Sequence, residues 1–163
     1  MGAGSSIATG PPDYTLVLER VFDAPRALVF KAWTDAKHLV RWLGPAGFSG
    51  TIIKMDPRPG GDYRFHMRSA EGVEYWQQGV WREIIEPERF VRTCVWADAG
   101  GSPIGPEMLM TETFEEHDGQ TRLTFLQTFN SATARDQHRL GTASALDRLE
   151  QYLAAEQVQH RSI

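Results

Sequence analysis

The chain has 163 residues, 41% hydrophobic and 23% charged, with a formal net charge of −4. That length suits one domain with a substantial core, and the slightly acidic balance disfavours a nucleic-acid footprint, which needs a basic face. No run approaches the roughly 18 consecutive apolar residues of a membrane span, and the single cysteine, Cys94, makes no internal disulfide, which fits a reducing cytoplasm.

Residues 1–12, dominated by Gly, Ala, Ser and Pro, read as a disordered leader without a secretory signal. Gly2 and Ser6 meet the myristoylation spacing by chance in so small-residue a stretch. One domain is expected over residues 13–156, with a flexible tail over 157–163. Its first strand is Tyr14 to Phe22, rich in β-branched and aliphatic side chains. Asp23-Ala24-Pro25 supplies a capping side chain for a short helix carrying Leu28, Val29, Phe30, Ala32 and Trp33 at helical spacing. Thr34-Asp35 caps a second helix with Leu39, Val40, Trp42 and Leu43, stopped at Gly44-Pro45.

Strands joined by turns follow. They are Phe48 to Met55, Asp62 to Ser69 behind Gly60-Gly61, Val73 to Ile85, Arg89 to Trp96, Glu107 to Glu116, and Thr121 to Phe129 after the turn His117-Asp118-Gly119. Tyr63-Arg64-Phe65-His66-Met67 alternates apolar and polar side chains with the period of a strand. Ala97 to Pro106, rich in Gly and Pro, is the longest internal loop and the expected mobile rim. Asn130-Ser131 caps a last helix running to about Ala155. Its inward stripe is His138, Thr142, Ala145, Leu146, Leu149, Tyr152 and Leu153, with Asp147, Arg148, Glu150 and Gln151 outward. Sequential hairpins with one covering helix imply an α+β antiparallel sheet. One helix cannot fill the concave side of a large curved sheet, so an internal cavity is expected.

Two polar residues stand at inward positions by the two-residue period: Glu112, between Met110 and Phe114, and Gln127, beyond Leu123 and Phe125. A buried Glu112 has a raised pKa and suits acid–base work; otherwise it lies at the sheet edge or pairs with Arg64 or Arg92. The aromatic set Trp33, Trp42, Trp76, Trp81, Trp96, Tyr63, Phe65, Phe114 and Phe125 either packs the core or lines a pocket, with Trp33 and Trp42 favoured for the pocket. Met108 and Met110 either adapt to ligands or fill the core. Arg64, His66 and Arg68 share a face with Asp62 and form either a solvated face, the favoured reading, or an anion site. His138 is either structural or directed into the cavity. The five histidines and Cys94 show no metal-ligand spacing, no phosphate-cradling glycine loop occurs, and no cofactor is indicated.

In its order of motifs the chain resembles the family related to the activator of the heat-shock protein 90 ATPase. The matching segments are Phe22-Asp23-Ala24-Pro25, Ala32-Trp33-Thr34-Asp35, Trp42 with Gly44-Pro45, Gly60-Gly61 with Tyr63-Arg64-Phe65, Gly79-Val80-Trp81-Arg82-Glu83-Ile84, Phe114-Glu115-Glu116, and Gly141 with Leu146-Asp147-Arg148-Leu149. The resemblance implies the helix-grip fold of the START and Bet v superfamily: a curved antiparallel sheet wrapped around a long C-terminal helix, with two short helices after the first strand. It departs at Thr142, where many members carry tryptophan; a smaller side chain there is expected to enlarge or hydrate the cavity, unless Trp76, Trp81 or Trp96 occupies the space.

The leading functional expectation is a non-catalytic domain enclosing a small hydrophobic molecule, lipid-like or aromatic. Its cavity would be formed by Trp33, Trp42, Tyr63, Phe65, Trp81, Met108, Met110, Glu112, Phe114, Leu123, Phe125, Gln127, His138, Thr142 and Leu146. The family name implies a second reading, a chaperone partner whose ATPase is stimulated. It ranks lower because the chain reads as one domain, without the namesake's separate chaperone-binding domain. A third is a cyclase- or hydrolase-type enzyme using Glu112, Arg64 or His138. A homodimer through unpaired strand edges stays open.

Overall fold

The computed structural model describes residues 14–161, with side chains described to residue 158. The expected leader and its myristoylation spacing lie outside them. The elements are β1 (Thr15–Phe22), α1 (Arg26–Thr34), α2 (Ala36–Leu39), β2 (Ser49–Met55), β3 (Asp62–Arg68), β4 (Glu74–Ile85), β5 (Arg89–Ala97), β6 (Met108–His117), β7 (Gln120–Thr128) and α3 (Ala132–Arg161). The strands form one antiparallel sheet in the order β1-β7-β6-β5-β4-β3-β2. Five successive hairpins thus build the sheet from β2 to β7, and β1 closes against β7. This is the helix-grip arrangement, with α3 held on the concave side.

Strand alternation decides which side chains face α3. Tyr63, Phe65 and Met67 of β3 are buried, as are Met108, Met110, Glu112 and Phe114 of β6 and Thr121, Leu123, Phe125 and Gln127 of β7. The β6–β7 hairpin turns on Asp118-Gly119, both at positive φ (53° and 80°), the pairing a two-residue loop between twisted strands demands. The sheet bends at shifts of register between Trp81 and Glu83 on β4 and between Ile52 and Lys54 on β2. Near the first of these β4 lies hard against β5. A Cβ on Gly79 would stand 2.0 Å from the Thr93 carbonyl oxygen. The Val80 N–H donates to the Thr93 hydroxyl (2.8 Å), and the Tyr63 hydroxyl donates to the Thr93 carbonyl (2.7 Å).

Several local features differ from the sequence expectation. Pro25 holds the N-cap position of α1, so Asp23 does not cap it; the Arg26 N–H donates instead to Glu116 Oε1 at 2.8 Å. Helix α2 has only four residues, although Asp35 caps it by accepting from the Lys37 N–H (2.9 Å). Beyond Leu39 the chain tightens into three-residue turns, with Arg41 N–H to His38 and Trp42 N–H to Leu39. That turn carries Trp42 onto Trp33, ring centroids 4.6 Å apart, and its indole donates to the Ala32 carbonyl (3.1 Å). The Ser131 hydroxyl caps α3 through the Ala134 N–H (3.1 Å). The helix continues past Ala155 to Arg161, through the first part of the segment read as a tail, and Gln157 donates to the Asp23 carbonyl. Arg148 does not point outward. Its Nη1 donates to the carbonyls of Leu43, Gly44 and Pro45 (2.9, 2.9 and 3.1 Å), which ties α3 to the turn between α2 and β2.

The core occupies one end of the concave groove. Phe30 of α1 meets Phe90 and Phe114 edge-on (centroids 6.1 and 5.2 Å), Trp81 stands 5.1 Å from Phe90, and Tyr63 stacks toward Phe65 (4.7 Å). Leu146, Leu149 and Leu153 of α3 seal this cluster from the other side. The helix pair and the C-terminal half of α3 therefore fill that end of the groove. The end under the N-terminal half of α3 stays open.

Candidate functional site

At the open end lies a cavity of about 870 Å³. Its roof is the first half of α3, through His138, Gly141, Thr142 and Ala145. The helix pair contributes Trp33, Leu39, Trp42 and Leu43, and the sheet contributes Met67, Tyr75, Arg92, Trp96, Met110, Phe125 and Gln127. The mouth is rimmed by Asp98, Ala99, Ile104 and Gly105 from the β5–β6 loop, where Ile104 is 69% exposed.

That loop is tied down, contrary to the expectation of a mobile rim. Asp98 Oδ1 accepts from the N–H groups of Gly100 and Ser102 (both 2.9 Å), and the Ile104 N–H returns to the Trp96 carbonyl (2.9 Å). Arg64 donates to the carbonyls of Asp98 and Ala99 (3.2 and 2.8 Å) and to Gln78, which in turn donates to the Gly101 carbonyl (2.9 Å). Gly and Pro marked the turns; the anchoring groups come from β3 and β4, distant in sequence.

Of the fifteen side chains expected to form the cavity, Trp33, Trp42, Met110, Phe125, Gln127, His138 and Thr142 stand on its wall. Tyr63, Phe65, Trp81, Met108, Glu112, Phe114, Leu123 and Leu146 do not; they are buried outside that wall. They occupy inward positions, but mostly at the end of the groove that α1 fills. Arg64, His138 and Glu112 do not converge as an acid–base set, since only His138 lines the cavity. Both ring nitrogens of His138 are engaged. Nδ1 faces the Ala134 carbonyl (2.8 Å), which can only accept, so Nδ1 carries the proton and Nε2 accepts from the Trp96 indole (2.8 Å). His138 thus clamps α3 to β5.

Glu112 is fully buried, and neither carboxylate oxygen has a hydrogen-bond partner among the described residues. Burial pushes its pKa well above 4.5, with the charge of Arg92 acting weakly the other way. No ion pair joins it to Arg64 or Arg92 among the described residues. Burial likewise raises the Tyr63 hydroxyl and pushes the Cys94 thiol up to about 11, leaving it a poor nucleophile. No group of three or more His, Cys, Asp or Glu side chains is placed to hold a metal among the described residues. No described helix is long and apolar enough to cross a membrane.

Sequence reasoning missed Arg92 as a wall residue and left Trp96 among the tryptophans that either pack the core or line a pocket. The signal was available: Phe90, Arg92, Cys94 and Trp96 share one face of β5 by the two-residue period. Arg92 is 4% exposed. Its guanidinium carbon lies 4.7 Å from the Tyr63 ring centroid, 5.3 Å from Trp81, 5.6 Å from Phe65 and 5.8 Å from Phe90.

A bent antiparallel sheet gripping a C-terminal helix beside an open pocket places the chain in the helix-grip class. It belongs to the family described as Activator of Hsp90 ATPase homolog 1-like protein, which matches residues 23–154. Protein Ms6760 from Mycobacterium smegmatis is 28% identical with a TM-score of 0.77, covering 88% of this chain and 90% of that one. Protein CV1439 from Chromobacterium violaceum is also 28% identical with a TM-score of 0.77, over 86% and 96% of the two chains. The AHSA1 protein from Silicibacter pomeroyi is 26% identical with a TM-score of 0.79, over 87% and 99%. No curated protein matches the chain.

Proposed function

We propose that this protein binds a small, largely apolar molecule between the sheet and the first half of α3. The observation that carries this reading is the cavity of about 870 Å³, walled by Trp33, Trp42, Trp96, Met110 and Phe125. Ligand sites are of this size and character: concave, mostly apolar, with a few placed polar groups. Thr142 supports it further, since the position sits on the wall where a tryptophan would take up space. Family membership is consistent with a ligand-binding domain.

Trp33, Trp42 and Trp96 on the wall make binding measurable by fluorescence. Freshly purified protein in native mass spectrometry is expected to carry a co-purifying small molecule, and lipid-like and aromatic compounds should quench tryptophan emission saturably. At a hundredfold excess over the dissociation constant, stability should rise by about 2.7 kcal/mol. Unchanged fluorescence and no thermal shift across a broad apolar library would sink the reading.

A further inference from the structure

The cavity wall holds a cation without an oxygen partner. Arg92 is nearly buried, yet among the described residues its only hydrogen bonds run from Nε and Nη2 to the thioether of Met110 (3.3 and 3.2 Å). A thioether is a weak acceptor, and a guanidinium carries five donors in a fixed plane. Among the described residues Nη1 has no acceptor, and it is not one of the buried polar atoms closed off without a partner. The aromatic rings around Arg92 take up its faces, not its in-plane N–H groups.

The acidic side chains on the wall do not neutralise it. Glu74 pairs with His66 (2.9 Å), and Asp98 accepts from backbone N–H groups of its own loop. Glu112 lies off the wall and forms no ion pair with Arg92, and burial holds it toward the neutral form. Buried charges are ordinarily paired or hydrogen-bonded, so an unpaired guanidinium facing a pocket has the character of a reserved anion contact. A second donor stands in the same row. Arg92 pairs in register with Met110, and Met110 with Gln127, so the three lie side by side across β5, β6 and β7. The Gln127 amide spends one N–H on the Met108 thioether (3.4 Å) and keeps the other.

We propose that the ligand is an amphipathic organic anion whose apolar body fills the cavity and whose oxyanion, a carboxylate or phenolate, docks on Arg92 with Gln127 beside it. This rests on the reading that the cavity binds an apolar molecule, and it adds the polar head. Arg suits a planar oxyanion because its fork donates two parallel bonds.

Three naphthyl probes with matched bodies test it on the full chain by isothermal titration calorimetry at neutral pH: 2-naphthoate, 2-naphthamide and 2-naphthylmethylammonium. Naphthoate should bind more tightly than naphthamide by about tenfold or more, and the ammonium probe should bind most weakly. In Arg92→Met the naphthoate-to-naphthamide ratio should fall close to one. Should that variant not fold, Arg92→Lys carries the test, with the ratio reduced but still above one. Equal binding of naphthoate and naphthamide by the wild type, or a ratio unmoved by either variant, overturns the anion contact and leaves the cavity reading standing. Failure of all three probes, together with an apolar library, overturns both.

Discussion

Replacing Glu112 by Gln should change how stability depends on pH. The carboxyl is fully buried with neither oxygen bonded, and burial raises its pKa well above 4.5. Below pH 4.5 the folded and unfolded chains both hold this proton. Above it the unfolded chain ionises while the folded chain keeps the proton, so the wild type loses stability as pH rises, until the folded pKa is passed. The loss is about 1.4 kcal/mol per pH unit, or up to ~2.7 kcal/mol from pH 5 to pH 7. Glu112→Gln has the same shape and no proton to lose. Urea unfolding of both proteins at pH 5, 6 and 7 isolates the effect, because every other titrating group is common to both. The variant should gain on the wild type by about 1.4 kcal/mol per unit. Parallel stability curves across that range would show that Glu112 is ionised or partnered in the folded protein and would refute the reasoning.

Thr142→Trp should place an indole in the cavity from its α3 wall. It should weaken 2-naphthoate binding at least about tenfold while stability changes by less than about 1.5 kcal/mol, since open space receives the ring; wild-type affinity would count against the cavity as the binding site. Arg148→Met removes three bonds to the Leu43, Gly44 and Pro45 carbonyls. Urea unfolding should show a loss of about 1.5–3 kcal/mol, and a change below about 0.5 kcal/mol would mean that solvent replaces the arginine there.

The strands were legible because alternation is local. Tyr63, Phe65 and Met67, or Leu123, Phe125 and Gln127, declare their buried face in alternate residues. The same rule placed Glu112 inward, and applied to β5 it would have placed Arg92 inward as well. A two-residue period reports the face of a sheet and says nothing of position along a groove. Tyr63, Trp81 and Phe114 therefore could not be separated from Trp96, Met110 and Phe125 until the packing of α1 showed which end of the concavity is filled. Long-range partners were equally out of reach. The tie of Arg64 to the β5–β6 loop, the hold of Arg148 on the Leu43–Pro45 turn, and the Trp96–His138 clamp each join residues 34 to 105 positions apart. Propensity and periodicity act within a few residues of the chain; which polar atoms end up facing one another, and which cation is left facing a pocket, is decided only when the sheet closes on its helix.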